Sequence, residues 1–285
     1  MNGYLHIYRP LNIFFIVVAQ WLAAYFLDTH SNFSVLSQGG IYWLMLGTAA
    51  CTAFGYWVND DTDFPRDVIN RSEVSAIHKL NTKVVYIHYL VFISIVLYAG
   101  NLLGLWFLIL FLTTILALTA YSKWLKNIAV IGNLTITALS FFSLYSVSYL
   151  FPGVNQQLIL HFALLAAGLN LVREMVKDAE DIEGDEQTGA RTLPIIGGLN
   201  VTNITVHGIL IMTIAFVMVS VFYQSQFFES FLKYVYYAYY ALFVVLPLYK
   251  IAVDVRYARI KEEYTRLSYL LKYVLGVGIL SILFF

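Results

Sequence analysis

The stretch 41–58 reads IYWLMLGTAACTAFGYWV and runs directly into Asn59-Asp60-Asp61-Thr62-Asp63-Phe64-Pro65-Arg66-Asp67. The first part carries no charge and comes close to the roughly 20 apolar residues that a membrane-crossing helix needs. The second part crowds carboxylates against its end. A second stretch repeats the pattern: the apolar run 158–172 is followed by Arg173-Glu174-Met175-Val176-Lys177-Asp178-Ala179-Glu180-Asp181-Ile182-Glu183-Gly184-Asp185. Charge at a bilayer boundary is costly to leave unpaired, so ionisable groups there are functional suspects by default.

Composition sets the frame around these two stretches. The chain has 285 residues, 60% hydrophobic and 12% charged, with a mean hydropathy of +0.73. An ordinary soluble domain carries about 25% charged residues, so an integral membrane protein is expected. The formal net charge is zero, which offers no argument for nucleic acid as a partner. The single cysteine, Cys51, excludes an internal disulfide and a Cys-rich metal site. The six histidines show no paired ligand spacing.

Scanning for spans gives nine: 12–27, 41–58, 84–99, 102–121, 128–151, 158–172, 201–223, 231–253 and 267–285. The division between the third and fourth rests on Gly100, Asn101 and Gly104 alone. The first span lacks the charged region followed by a small-residue cleavage site that marks a removable signal peptide. With nine alternating spans, every one of the 17 basic residues except Lys233 falls on one side. The positive-inside rule makes that side cytoplasmic, with the N-terminus inside and the C-terminus outside, in a multi-pass protein of the plasma membrane. Asp28 and Glu229 are the external acids. The chemistry is therefore expected at the cytoplasmic face, on the long polar connections 59–83 and 173–200.

Spacing within the acidic stretches is regular. Asn59, Asp63 and Asp67 recur every four residues, one face of a helix continuing through them, although Pro65 argues for a break. Asp181 and Asp185 repeat the interval. Carboxylate oxygens are hard ligands suited to Mg²⁺, which completes its shell with water and substrate phosphate. Two such clusters after the second and sixth spans, running in the same direction, would face each other around a diphosphate. A solvated acidic loop is the bland alternative; a cation transporter is another, but it would place ionisable residues inside the helices.

These segments resemble the two aspartate-rich signatures of the UbiA superfamily of intramembrane prenyltransferases. Arg9-Pro10, Tyr121-Ser122-Lys123-Trp124-Leu125-Lys126 and Gly189-Ala190-Arg191-Thr192-Leu193-Pro194 fit the same pattern. The resemblance implies one all-α domain over 1–285, a bundle of nine transmembrane helices around a central cavity. It implies Mg²⁺ held by Asn59, Asp63, Asp67, Asp181 and Asp185, bridging the diphosphate of a polyprenyl donor. Lys126, with Lys123, Lys177, Arg66 or Arg71, would contact diphosphate oxygens, and Asp178 would orient or deprotonate the acceptor; Asp178 and Lys126 are the catalytic candidates. Membrane lipids surround the site and the acceptor is hydrophobic or amphiphilic. The region 172–194 is most similar to the branch that prenylates geranylgeranylglyceryl phosphate. Branches that prenylate 4-hydroxybenzoate or naphthoate share the metal motifs and stay open, as does an inactive scaffold. The family commonly has Asn-Lys-Pro and then an Arg after the first motif; this chain has Asn70-Arg71-Ser72-Glu73-Val74.

Overall fold

The computed structural model describes residues 7–28, 39–64, 66, 69, 77 and 80–285. Among them, eight helices are long and apolar enough to cross a membrane, with a shorter apolar helix before them. In chain order these are α1 (Pro10–Phe26), α2 (Gly40–Thr62), α3 (Thr82–Leu103), α4 (Leu105–Lys123), α5 (Ile131–Leu150), α6 (Gln156–Glu180), α7 (Leu193–Phe227), α8 (Ser230–Tyr257) and α9 (Lys261–Phe284). The expected nine-helix bundle is therefore found. Strand pairing among the described residues is limited to two isolated bridges, Asp28 with Val154 and Ile128 with Arg191.

Local chemistry explains the breaks. Gly104, at φ 103°, is the one residue between α3 and α4. A side chain is strained there, and a Cβ on nearby Gly100 would stand 2.8 Å from the Leu108 backbone, so both glycines permit the tight hairpin. Asn155 caps α6 by accepting from the backbone amides of Gln157 and Leu158 at 3.1 Å each. In α8 a π-helical turn over Ala241–Val245 precedes Pro247. Proline lacks the amide and crowds the carbonyl four residues back, and the wider turn absorbs both.

Two expectations need correction. The polar connections are expected to begin at 59 and 173, but α2 stays helical through Thr62, a continuation the spacing of Asn59 and Asp63 allowed, and α6 through Glu180. Hydropathy sees the apolar part of a helix; backbone hydrogen bonding carries it on into charged residues. Glu174, Lys177 and Asp178 therefore stand on helix α6, not in a loop. The seventh span starts at Leu193, not 201, because a short helical piece precedes a non-helical residue, Gly198, inside α7.

The apolar core falls into two clusters. One gathers residues such as Leu22, Leu44, Phe54 and Val147, and the other Leu210, Leu248, Ile251 and Leu271. Helix α6 serves both, through Ile159 and Phe162 on one side and Leu169 and Val172 on the other. The helices bearing the acidic stretches are the most enclosed: 61% of the apolar stretch of α2 and 56% of that of α6 is buried, against 17% and 22% for α3 and α4. The latter present Leu90, Leu105, Ile109 and Leu116 outward, as a lipid-facing pair should.

Candidate active site

The two acidic stretches meet at one end of the bundle. The Asn59 amide donates to Asp63 Oδ2 at 2.6 Å, and Lys126 Nζ pairs with Asp63 Oδ1. Arg66 lies between the stretches: its NH1 is 3.7 Å from Asp63 Oδ1 and its Nε is 2.9 Å from Asp185 Oδ1. The second contact is an ion pair without hydrogen-bond alignment, since neither atom has a hydrogen-bond partner although both are buried. Asp185 also accepts from Thr192 Oγ1 at 3.1 Å. Burial pushes the Asp185 carboxyl above the usual range, with Arg66 and Thr192 opposing.

The connection between α4 and α5 positions Lys126 and braces Arg66. Asn127 accepts from Arg66 NH2 through its side chain at 2.7 Å and from the Arg191 amide through its carbonyl at 2.9 Å. Gly132 lets this segment pack tightly, because a Cβ there would meet Leu125 O and Lys126 Cα at 2.8 Å, both backbone. Lys126 Nζ also donates to Thr62 Oγ1 at 3.1 Å, tying the segment to the end of α2.

Beneath this cleft an apolar cavity of about 260 Å³ runs into the bundle between α1, α2, α4, α5, α6 and α9. Its mouth carries Arg9, Asn59, Tyr121, Arg173, Glu174 and Lys177. Arg9 pairs with Asp60 at 3.4 Å and stacks over the Tyr56 ring at 4.8 Å. Its backbone is left-handed, φ 45°, directly before Pro10. Glu174 accepts from Arg173 at 2.8 Å and from the Tyr121 hydroxyl at 3.4 Å. Behind the lining residues Thr48 and Ser143 lies Gln20, fully buried, whose amide donates to Thr48 Oγ1 at 2.9 Å and to Ser143 O at 2.7 Å. From Asn59 to Thr48 the cavity wall follows about 16 Å of helix α2.

Of the expected site residues, Asn59, Asp63, Arg66, Lys126 and Asp185 are brought together. Asp181 caps α6, its amide bonded to Lys177 O at 2.9 Å, and passes the chain into the short helix that holds Asp185. Asp178 accepts from Asn133 at 2.8 Å. Lys123 is exposed on the rim of the cleft, while Lys177 faces the apolar cavity instead. Asp67 and Arg71 lie outside the described residues. Among the described residues no three acidic, histidine or cysteine side chains converge closely enough to hold a metal; Arg66 and Lys126 stand between the carboxylates. Sequence reading did not single out Glu174, Arg173, Tyr56, Thr192 or Lys272 as site residues. Arg9 was visible as Arg-Pro before a span, but its direction toward the cavity was not.

The sequence profile of the UbiA prenyltransferase family matches residues 14–274. The digeranylgeranylglyceryl phosphate synthase of Methanothermobacter thermautotrophicus is 29% identical over 205 residues, 72% of this chain and 70% of that protein. The synthase of the same name from Methanospirillum hungatei is 30% identical over 218 residues, covering 71% of each. Among solved structures, a UbiA homolog from Archaeoglobus fulgidus bound to GPP and Mg²⁺ superposes with a TM-score of 0.67 at 13% identity, covering 98% of this chain and 99% of its own. With a nine-helix bundle, two facing acidic stretches and a profile match over most of its length, this multi-pass membrane protein belongs to the UbiA prenyltransferase family.

Proposed function

We propose that this prenyltransferase moves a polyprenyl group from a prenyl diphosphate to a glyceryl phosphate lipid, most similar to geranylgeranylglyceryl phosphate. The observation that carries the reading is the convergence of Asp63 and Asp185 on Arg66 at the mouth of an apolar cavity. An anionic head and a long apolar tail are what such a site accommodates. The relatives named digeranylgeranylglyceryl phosphate synthase support the choice of acceptor.

The donor set fits Mg²⁺. Asp63 and Asp185 are hard oxygen donors, Asp185 Oδ1 is buried without a hydrogen bond, and the side-chain Oδ1 of Asn59 accepts a long 3.5 Å contact from the Ser122 hydroxyl. Asn59, Asp63 and Asp185, with Asp181 and Asp67, would hold the metal. What bound Mg²⁺ supplies is neutralisation of the charge that grows on the leaving diphosphate. Arg66 and Lys126, now paired with carboxylates, turn to diphosphate oxygens as charge-assisted donors, with Lys123 at the rim.

The carbon–oxygen bond of the allylic diphosphate breaks, and its electron pair leaves with the diphosphate. The acceptor hydroxyl oxygen bonds to the allylic carbon and gives up its proton, for which Asp178, held by Asn133, is the proposed base. The cavity walls hold the chain and keep water from the cation. The chain acts as a single catalytic unit, with its site opening to the cytoplasmic side.

Purified protein offered a prenyl diphosphate with either geranylgeranylglyceryl phosphate or 4-hydroxybenzoate tests the acceptor. The ether lipid is the expected product. Efficient prenylation of 4-hydroxybenzoate with the glyceryl phosphate inert would overturn the acceptor and leave the prenyl transfer standing.

A further inference from the structure

Four cations line the cavity mouth that the donor chemistry does not use: Arg9, Arg173, Lys177 and Lys272. Arg173 and Lys177 stand one turn apart on α6 and share a face; Lys272 comes from α9 and Arg9 from the head of α1. Among the described residues, Glu174 is the one carboxylate that also lines this cavity. Asp60 answers Arg9 at 3.4 Å and Glu174 answers Arg173, so about two positive charges stay unanswered, while Asp178 is engaged with Asn133 and Glu180 with the Thr265 hydroxyl at 2.8 Å. Arg173 has one terminal nitrogen on Glu174, but its Nε is buried with no hydrogen-bond partner.

A surplus of positive charge over an apolar cavity is costly unless an anion answers it. The donor diphosphate has its own cations in Arg66 and Lys126. Those lie on the far side of Asn59, which lines the cavity and donates to Asp63. A phosphate monoester, at about −1.5 to −2 near neutrality, matches the excess of the second group, whereas a monoanionic aromatic carboxylate would leave much of it unanswered.

We infer that Arg173, Lys177 and Lys272, with Arg9, seat the phosphate monoester of the acceptor while the cleft of Asp63 and Asp185 takes the diphosphate of the donor. This deepens the acceptor reading above and rests on it. Two separate anion seats keep the substrates from competing for the same cations. They also place the acceptor's glyceryl hydroxyl between its own phosphate and the donor carbon.

The test compares Michaelis constants in detergent-purified full-length protein. Lys272→Met should raise the KM for geranylgeranylglyceryl phosphate by about ten- to a hundredfold and leave the donor KM unchanged. The KM for the phosphate-free alcohol, geranylgeranylglycerol, should not respond to the substitution, and Lys272→Arg should restore the wild-type value. Glycerol phosphate should compete with the acceptor and not with the donor. Should Lys272→Met unfold, Lys177→Ala carries the same contrast. Equal rises in both KM values, or an equal rise for the phosphate-free acceptor, would overturn the seat. If wild-type protein prenylates 4-hydroxybenzoate and no glyceryl phosphate, the acceptor reading itself has failed, and that shows before any substitution is made.

Discussion

Arg66 reaches both acidic stretches and the α4–α5 connection at once, through Asp63, Asp185 and Asn127. Removing a cation from between the buried Asp185 and the half-buried Asp63 leaves them facing each other, and breaking a fully buried pair costs about 3–5 kcal/mol, an upper bound here. A divalent cation that binds the folded state recovers part of that loss by mass action. Arg66→Met should therefore lower the unfolding temperature without Mg²⁺ and show a larger Mg²⁺-induced rise than wild type, read by thermal unfolding in detergent. Equal rises in the two proteins would contradict the placement of metal beside Asp63 and Asp185. Gly132 acts through geometry. A methyl there meets two backbone atoms of the Leu125–Lys126 segment at 2.8 Å, so Gly132→Ala must displace Lys126. A displacement of about 1 Å at a reacting group costs on the order of a hundredfold in rate, so kcat should fall strongly while the protein still inserts; an unchanged kcat would remove Lys126 from the chemistry.

At the scale of elements, Gln20 clamps α1, α2 and α5 behind the cavity wall. Gln20→Ala strands the Thr48 hydroxyl in a dry interior and removes one bond to the Ser143 carbonyl, which keeps the Ser146 hydroxyl at 3.0 Å. Unsatisfied buried groups cost about 1–3 kcal/mol each, so a clear drop in thermal stability is expected, and Gln20→Ala as stable as wild type would mean the clamp is idle. The elements also show what the sequence revealed. Helix α2 and the apolar part of α6 were legible because long uncharged runs have one physical reading in a chain this hydrophobic. The α3–α4 break was legible from Gly100 and Gly104, and the structure shows why those glycines are required. Asp63 and Asp185 were legible as a pair from their placement after two equivalent helices. The cavity mouth was not, because Arg173 and Glu174 sit beside an apolar run and look like an ordinary helix end. Which face they take depends on packing against α5, α7 and α9. Gln20 was equally hidden: one polar residue in an apolar helix states its cost but not its partners.

For the whole molecule, orientation and chemistry are linked. Arg9 before α1 pairs with Asp60 near the end of α2, while Asn155 before α6 bonds back to Leu27 after α1 at the other end. The acidic stretches lie at the first end, and we propose on the positive-inside rule that this end faces the cytoplasm. Cysteine labelling on a Cys51→Ala background should modify Glu186→Cys only from the cytoplasmic side and a cysteine added after Phe285 only from outside; the reverse would invert substrate entry. The central claim is that the facing carboxylates carry out prenyl transfer. The most direct measurement follows labelled geranylgeranyl diphosphate with purified wild type and Asp63→Ala, in Mg²⁺ and in chelator, beside geranylgeranylglyceryl phosphate. Wild type should form the ether lipid with one diphosphate released per transfer, in Mg²⁺ alone, and Asp63→Ala should fold but form none. Transfer by Asp63→Ala at the wild-type rate, or in chelator, would contradict the account.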